Sequence, residues 1–248
     1  MTAAPALSSA PKALKDAPMT ADPRLIVALD VPRASDARAL VDRVGDAVSF
    51  YKVGLQLLAA DGMAFARELK AEGKQVFLDW KLHDIGATVE KATAALAGAA
   101  AGDLLTVHAE PQVMAAAVRG RAGSSLKILA VTVLTSLTDA DLEELGYRFG
   151  ARDLVARRIR QARDCGVDGL VCSPQEASLA RALVGDDMLI VTPGVRPSWA
   201  AMNDQARAAT PAEALKAGAS HLVVGRPITA ANDPQSAAEA IVREMAEA

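Results

Sequence analysis

The stretch GKQVFLDWKLHDIGATVEKATAALAGAAAG, residues 73–102, contains the repeating unit of this 248-residue sequence. A short run of buried-strand character, Gln75–Lys81, leads through a polar turn into an alanine-rich helical segment, Thr88–Ala101. Near-continuous apolar strands are typical of parallel sheets that are covered by helices on both faces. The helical segment runs into Gly102, as expected at a helix end. This stretch therefore predicts one strand and one helix of an α/β fold.

The same unit recurs on both sides of this stretch, from Pro23 onward. The predicted strands are Leu25–Asp30, Ser49–Gly54, Gln75–Lys81, Leu104–Ala109, Lys127–Leu134, Gly169–Ser173, Leu189–Pro193 and His221–Gly225. The predicted helices are Ala34–Val44, Leu58–Glu72, Thr88–Ala101, Gln112–Arg121, Asp153–Asp164, Gln175–Val184 and Pro211–Ala217, with an extra short helix at Ser136–Gly146. Glycines predicted to end helices are Gly45, Gly73, Gly102, Gly166, Gly185 and Gly218.

Eight strand–helix units predict a single-domain (β/α)8 TIM barrel over residues 23–248. An open doubly wound sheet is less favoured, because no GxGxxG motif follows the first strand. Residues 1–22 are rich in Ala, Pro and Ser and lack the apolar run of a secretory signal, so we expect a flexible N-terminal tail.

Charge and cysteine content narrow the function classes. With 27 basic and 30 acidic residues, the net charge is −3. The sequence thus lacks the excess of positive charge that is typical of proteins that bind nucleic acid or an anionic membrane. No apolar run approaches the ~20 residues that span a bilayer. Cys165 and Cys172 fit neither a disulfide scaffold nor a zinc cluster, so reduced thiols in a cytoplasmic protein are expected.

Active sites of TIM barrels lie at the carboxyl ends of the strands. Five charged residues fall there or just beyond: Asp30, Lys52, Asp79, Lys81 and Asp84. Because side chains alternate along a strand, Asp79 and Lys81 share a face, which should point into the barrel mouth. Burying such charges is costly unless they pair. Apolar side chains in their place would usually stabilise the fold equally well. A functional charge array is therefore favoured over a structural ion-pair network.

The segment FLDWKLHDIGATV, Phe77–Val89, resembles the DxKxxD signature of the orotidine 5′-phosphate decarboxylase family. Further segments match the strand ends of that family in order: ALD at Ala28–Asp30, YKVG at Tyr51–Gly54, TVHA at Thr106–Ala109, VLTSL at Val133–Leu137, VTPGVR at Val191–Arg196 and VVGRPIT at Val223–Thr229. The resemblance covers Leu25 to Pro234. Gly86 and Ala87 stand where the family usually has Pro and often Asn, and the segments 109–111 and 199–203 also diverge.

This resemblance implies an enzyme, a carbon–carbon lyase that converts orotidine 5′-phosphate to UMP and CO2 in de novo pyrimidine biosynthesis, without metal or cofactor. It implies that Lys81 stabilises the carbanion at C6 and protonates it, while Asp79 holds Lys81 in place. Lys52 and Asp84 would complete an alternating array of charges. Without an electron sink, catalysis would have to come from preorganised charge.

The resemblance also implies the substrate contacts. Asp30 and Lys52 would bind the ribose hydroxyls, and Thr135 the pyrimidine. The remaining contacts are Pro193, Arg196, Gln205, Gly225 and Arg226. Of these, Gly225 and Arg226 would bind the phosphate, Gln205 would bridge phosphate and pyrimidine, and Arg196 and Gln205 lie in a segment, residues 194–210, interpreted as a mobile lid.

The second aspartate of the motif enters the neighbouring subunit's site in that family. Asp84, Ile85 and Thr88 therefore imply a homodimer with shared active sites.

Two other functions remain open from the sequence. One is a Mg2+-dependent sugar-phosphate decarboxylase or synthase of the same superfamily, which is less favoured because Lys52 stands in the region of an acidic metal ligand. The other is a barrel that binds phosphate ligands without catalysis. We interpret His83, His108 and His221 as structural residues.

Overall fold

Eight strands close into a parallel barrel in the computed structural model, which describes residues 20–200 and 209–248. Each strand pairs with the next along the chain, and the last pairs with the first through Leu25 and Leu222. The predicted TIM barrel is confirmed. The strands are β1 (Leu25–Ala28), β2 (Phe50–Gly54), β3 (Gln75–Leu82), β4 (Leu104–His108), β5 (Lys127–Val131), β6 (Gly169–Val171), β7 (Leu189–Pro193) and β8 (His221–Val224).

Helices surround the barrel and bury an apolar stripe against it. Within residues 20–200 and 209–248, none of them is long and apolar enough to cross a membrane. They are α1 (Ala34–Val44), α2 (Leu55–Leu58), α3 (Gly62–Ala71), α4 (Gly86–Gly98), α5 (Pro111–Gly120), α6 (Asp139–Glu144), α7 (Ala151–Cys165), α8 (Pro174–Val184), α9 (Pro211–Lys216), α10 (Arg226–Thr229) and α11 (Pro234–Met245).

The prediction of one continuous helix after β2 is wrong. The segment Leu58–Glu72 is not a single helix but the end of α2, a turn, and α3. Asp61 adopts a left-handed conformation, with φ of 62°, directly before Gly62. Asp-Gly is a turn signal, and it interrupts the apolar periodicity that suggested one continuous helix. The helices α10 and α11, which follow the last strand, were absent from the prediction.

The prediction for Gly102 is also wrong. The other five glycines predicted to end helices have positive φ, but α4 already ends at Gly98, and Ala100 makes the left-handed turn with φ of 48°. Gly102 serves packing instead: a Cβ there would lie 2.7 Å from Cγ of Leu78. The segment between α4 and β4 is crowded against β3 at this glycine. The helical pattern in the sequence does not reveal that contact.

The barrel interior is filled by side chains that alternate with outward-facing ones along the strands. Its apolar members form a separate cluster from the residues between barrel and helices. They are Ile26, Ala28, Phe50, Phe77, Leu104, Leu129, Val191 and Val223. The packed interior leaves the carboxyl ends of the strands as the place where polar groups gather.

At the opposite end of the barrel, His221 of β8 packs edge-on against Phe50, with ring centroids 5.9 Å apart. Burial, together with the nearby charge of Lys127, lowers the pKa of His221 to about 4. In the unfolded chain His221 takes up a proton as pH falls below the ordinary histidine pKa of about 6.5. In the folded chain it takes up that proton only near pH 4. Stability is therefore lost across this window.

We expect His221 to cost the wild type roughly 3 kcal/mol of unfolding free energy between pH 6.5 and pH 4. His221→Leu, which cannot titrate, should show a correspondingly shallower loss over the same range. Urea unfolding of both proteins at several pH values and at one protein concentration measures the difference. Equal pH dependence in the two proteins would contradict the assignment.

Candidate active site

A cavity of about 610 Å3 opens at the carboxyl ends of the strands. Its walls come from the last residues of the strands and from the loops that follow them, where enzymes of this fold place their chemistry. The predicted site residues that line it are Asp30, Lys52, Asp79, Lys81, Thr135, Pro193, Arg196, Gly225 and Arg226.

Four charges, one just after β1 and the others on β2 and β3, form a connected network in one sector of this cavity. Lys81 Nζ lies 2.8 Å from Oδ1 of Asp79, and Lys52 Nζ lies 3.4 Å from Oδ2 of the same carboxylate. Lys52 Nζ also donates to Oδ1 of Asp30 at 2.8 Å. Asp79 therefore stands between two ammonium groups, and the order of charges along the sector is Asp30, Lys52, Asp79, Lys81.

The network decides the ionisation of its central carboxylate. Burial by itself would raise the pKa of Asp79, but the charges of Lys52 and then Lys81 lower it, with hydrogen bonds from Lys81 and Thr106. The net effect holds the pKa of Asp79 below its usual value. Asp79 is thus a carboxylate at neutral pH although only 15% of its side chain is exposed. Lys52 is buried and has its charge balanced by the two carboxylates.

Gly54 at the end of β2 makes room for this network. A Cβ at Gly54 would lie 2.8 Å from Oδ1 of Asp30 and 2.9 Å from Nζ of Lys52. Any larger residue at this position would therefore displace at least one of these two charged groups.

Gly54→Ala should therefore lower kcat/KM by about 10- to 100-fold, because small misplacements of catalytic groups are costly. Gly98→Ala is the matched control, since a Cβ on Gly98 meets no atom of residues 20–200 and 209–248 within 4 Å. Steady-state kinetics and thermal unfolding of both variants make the comparison. Full activity of Gly54→Ala with unchanged stability would show that the close contact has no bearing on the site.

The remaining strands give the cavity a different character. Val131 on β5 and Val171 on β6, with Val133 and Leu134 beyond β5, present apolar surface to it. The ends of β7 and β8 then contribute the two arginines, one of which, Arg196, is buried. A ligand that fits would have a flat or apolar part and an anionic end.

Three predicted residues do not join the cavity of this chain. Asp84, Ile85 and Thr88 lie in the turn after β3 and the first turn of α4, are exposed, and are absent from the cavity wall. Asp84 accepts a hydrogen bond from the backbone N–H of Ile85 at 2.6 Å. The expectation that five charges are buried together is wrong for Asp84, because β3 ends before it and the turn leads away from the mouth. It is also wrong for Asp30, whose side chain lines the cavity but is 57% exposed.

Residues 201–208 lie outside the described part of the chain, and with them Gln205. The two ends of the predicted lid segment approach each other: Val195 forms a bridge with Ala209, and Arg196 N–H donates to the carbonyl of Ala209 at 2.9 Å. The predicted N-terminal tail also falls largely outside, since residues 1–19 are not described.

The two histidines near the mouth pack on each other rather than on the cavity. The rings of His83 and His108 are 5.0 Å apart, and Nε2 of His83 lies 3.6 Å from Oε2 of Glu110. Glu110 in turn accepts a hydrogen bond from the buried Arg158 at 2.9 Å. Burial lowers the pKa of His108. Neither histidine lines the cavity, in line with the structural interpretation.

Sequence reasoning missed several members of the site. Leu55 and Gln56 follow β2 directly, and Thr229 follows Arg226, so their positions after strands could have suggested them. Thr106 was quoted only as part of a motif, yet its hydroxyl contacts Asp79 at 3.0 Å. Its position two residues after Leu104, which lies in the barrel interior, places it on the inner face of β4. Strand alternation was therefore the available signal.

Comparisons with known proteins agree with this geometry. The sequence profile of the "Orotidine 5′-phosphate decarboxylase / HUMPS family" matches residues 23–241. A protein named orotidine 5′-phosphate decarboxylase from Caulobacter sp. (strain K31) is 75% identical over 228 residues, 92% of this chain and 99% of the relative. One of the same name from Caulobacter vibrioides (strain NA1000 / CB15N) is 71% identical over 232 residues, with the same coverage. The crystal structure of orotidine 5′-phosphate decarboxylase from Lactobacillus acidophilus matches with a TM-score of 0.80 and 38% identity, covering 90% of this chain and 99% of that one.

Proposed function

Because this chain belongs to the orotidine 5′-phosphate decarboxylase / HUMPS family, we propose that it converts orotidine 5′-phosphate to UMP and CO2. The observation that carries the proposal is the network in which Asp79 stands between Lys52 and Lys81 at the wall of a cavity. Fixed charges of this kind can stabilise a carbanion that has no electron sink of its own. The reaction is the carbon–carbon lyase step that completes UMP in pyrimidine biosynthesis.

Lys81 is the proposed proton donor. As the bond between C6 and the carboxyl carbon breaks, CO2 leaves and its bonding electron pair stays on C6. The Lys81 ammonium stabilises this charge, and then gives C6 a proton, which forms the new C–H bond of UMP. Lys81 regains its proton from solvent, to which a quarter of its side chain is exposed. Because the ammonium is already in place, little reorganisation accompanies the reaction.

Asp79 is proposed to aim Lys81 and to keep an opposite charge beside it. Its carboxylate accepts the Lys81 hydrogen bond at 2.8 Å, and its own low pKa keeps it charged. Lys52 continues the alternation of charge, and with Asp30 it is proposed to bind the ribose hydroxyls. The same ammonium occupies the region where the magnesium-dependent members would need an acidic ligand, which disfavours that alternative.

The other half of the cavity suits the rest of the substrate. Thr135 and Pro193, beside the apolar surface of β5 and β6, are proposed to contact the pyrimidine. Gly225 and Arg226 after β8 are proposed to bind the phosphate, because a guanidinium fork and backbone N–H groups match its oxygens. Arg196 and Gln205 are proposed to complete phosphate binding from the segment after β7.

We propose further that the enzyme is a homodimer in the cytoplasm. Ile85 is 68% exposed, a large apolar surface for a residue next to a charged site. A second copy that covers Ile85 and Thr88 would receive Asp84 in the cavity of that second copy, as a fifth charge beside its Asp30, Lys52, Asp79 and Lys81. The cytoplasmic assignment is supported by Cys165 and Cys172, which are both free thiols.

The direct test is whether the enzyme forms UMP from orotidine 5′-phosphate after EDTA has removed any metal. The loss of substrate absorbance measures the reaction. We expect full turnover under these conditions. Turnover that requires added Mg2+ would favour the sugar-phosphate alternative, and folded protein that binds substrate without producing UMP would favour a binding barrel.

Arg226→Ala should weaken binding of phosphate-bearing ligands by about 10- to 100-fold, the range expected for losing charge-assisted hydrogen bonds. Affinity for a nucleoside that lacks the phosphate should be nearly unchanged. Calorimetry with UMP and with uridine measures both. Equal losses for the two ligands would place Arg226 outside the phosphate site.

A further inference from the structure

We propose that Thr106 is a positioning residue whose hydroxyl fixes both the backbone of Lys81 and the carboxylate of Asp79. The inference rests on the proposed function, since it concerns how the two reacting side chains are held. Thr106 lies on the inner face of β4, is fully buried, and is not part of the cavity wall. It therefore acts on the substrate only through the two residues above it.

The backbone of β3 is irregular where this hydroxyl lies. Leu78 of β3 pairs with Leu105 of β4, and Leu82 pairs with Val107. Four steps along β3 therefore correspond to two along β4, so β3 carries two extra residues within the stretch from Asp79 to Lys81. Such a bulge takes N–H groups out of the ladder and re-aims side chains, and bulges are frequent next to active sites.

Lys81 carries the conformational consequence of this bulge. Its φ of 49° lies in the left-handed region, which is unfavourable for a residue with a side chain. Its backbone N–H finds an acceptor in Thr106 Oγ1 at 3.0 Å instead of a carbonyl of the neighbouring strand. The threonine hydroxyl thus satisfies a donor that the bulge would leave buried and unpaired.

The same oxygen serves the carboxylate. A threonine hydroxyl has one proton to donate and two lone pairs to accept with. The proton goes to Oδ1 of Asp79 at 3.0 Å, and a lone pair accepts from Lys81 N–H. Asp79 Oδ1 also accepts from Lys81 Nζ at 2.8 Å. One buried hydroxyl therefore closes a ring that contains both ends of Lys81 and the carboxylate that aims it.

Two pairs of variants isolate the hydroxyl. Thr106→Val removes it at nearly constant volume, and Thr106→Ser keeps it while removing the methyl group. Thr106→Ser compared with Thr106→Ala makes the same test should the valine variant fold poorly. Thr192→Val is the matched control, because Thr192 is a buried strand threonine of β7 whose hydroxyl has no hydrogen-bond partner among the described residues.

We expect Thr106→Val to lower kcat by about 10- to 100-fold, because slight misplacement of a reacting group is costly. Affinity for UMP, measured by calorimetry, should change by less than about threefold, since the phosphate and ribose contacts remain. Thr106→Ser should retain kcat within about threefold, and Thr192→Val should match the wild type. Undiminished kcat in Thr106→Val, or equal losses in the valine and serine variants, would overturn the proposal.

Hydrogen exchange at the Lys81 amide gives a readout that does not depend on turnover. Exchange should be faster in Thr106→Val and Thr106→Ala than in the wild type, while Thr106→Ser should keep the wild-type rate. If the wild type itself forms no UMP, the proposed function fails, but the exchange comparison still tests the positioning role. Unchanged exchange at Lys81 in the variants without a hydroxyl would refute that role in either case.

Discussion

Lys81→Ala should lower kcat by about four orders of magnitude or more, because it removes both the proton donor and the charge beside C6. The fold should survive, since Asp79 keeps Lys52 at 3.4 Å and the hydroxyl of Thr106 at 3.0 Å as partners. Substrate affinity should change far less than kcat, because the phosphate and ribose contacts lie on other residues. Single-turnover kinetics and thermal unfolding measure the two effects separately.

A control for Lys81→Ala is Lys127→Ala, which removes an exposed lysine at the opposite end of the barrel. The control should retain wild-type kcat. A Lys81→Ala enzyme with near-normal turnover would remove Lys81 from the role of proton donor, and would leave the charge network as a structural feature of the barrel mouth.

The second large effect is recovery of activity when two inactive variants are mixed. Lys81→Ala and Asp84→Ala should each be nearly inactive as homodimers. In a mixed dimer, one site combines the intact Lys81 of one chain with the intact Asp84 of the other. Random pairing of two subunits around a twofold axis limits recovery to about a quarter of wild-type activity per chain.

The geometry supplies a control for this mixing experiment. Asp79 and Lys81 contact each other within one chain, at 2.8 Å. A mixture of Lys81→Ala with Asp79→Asn therefore leaves no mixed dimer with an intact site, and it should stay inactive. Absence of recovery with Asp84→Ala, although native mass spectrometry detects mixed dimers, would show that Asp84 does not serve the neighbouring site.

Much of the fold could be predicted because its signals are local. Each strand is a short apolar run, and most helices end near a glycine, so adjacent residues were enough to place them. The error at Leu58–Glu72 has the same origin. The turn at Asp61 and Gly62 was overlooked because apolar residues lie on both sides of it, although Asp-Gly is itself a local turn signal.

The site was predictable to the extent that it follows strand ends. Strand alternation placed Asp79 and Lys81 on one face, and both line the cavity. Alternation could not predict the bulge in β3, because a register shift depends on what the neighbouring strand offers. Thr106, separated from Asp79 by 27 positions in the chain, provides that contact, and alternation along β4 indicates only that its side chain faces inward.

The sequence by itself determined that this chain forms a barrel and that charged residues gather at its carboxyl end. Periodicities of 2 and 3.6 residues arise from residues close together in the chain. They therefore indicate strands and helices without knowledge of the rest of the chain. Only the tertiary structure decided which charges meet. Asp79 pairs with Lys52 and Lys81 and accepts a hydrogen bond from the buried hydroxyl of Thr106. Asp84, in contrast, is exposed. Distances of about 3 Å between side chains depend on the register of adjacent strands, and register is set by packing across the whole barrel.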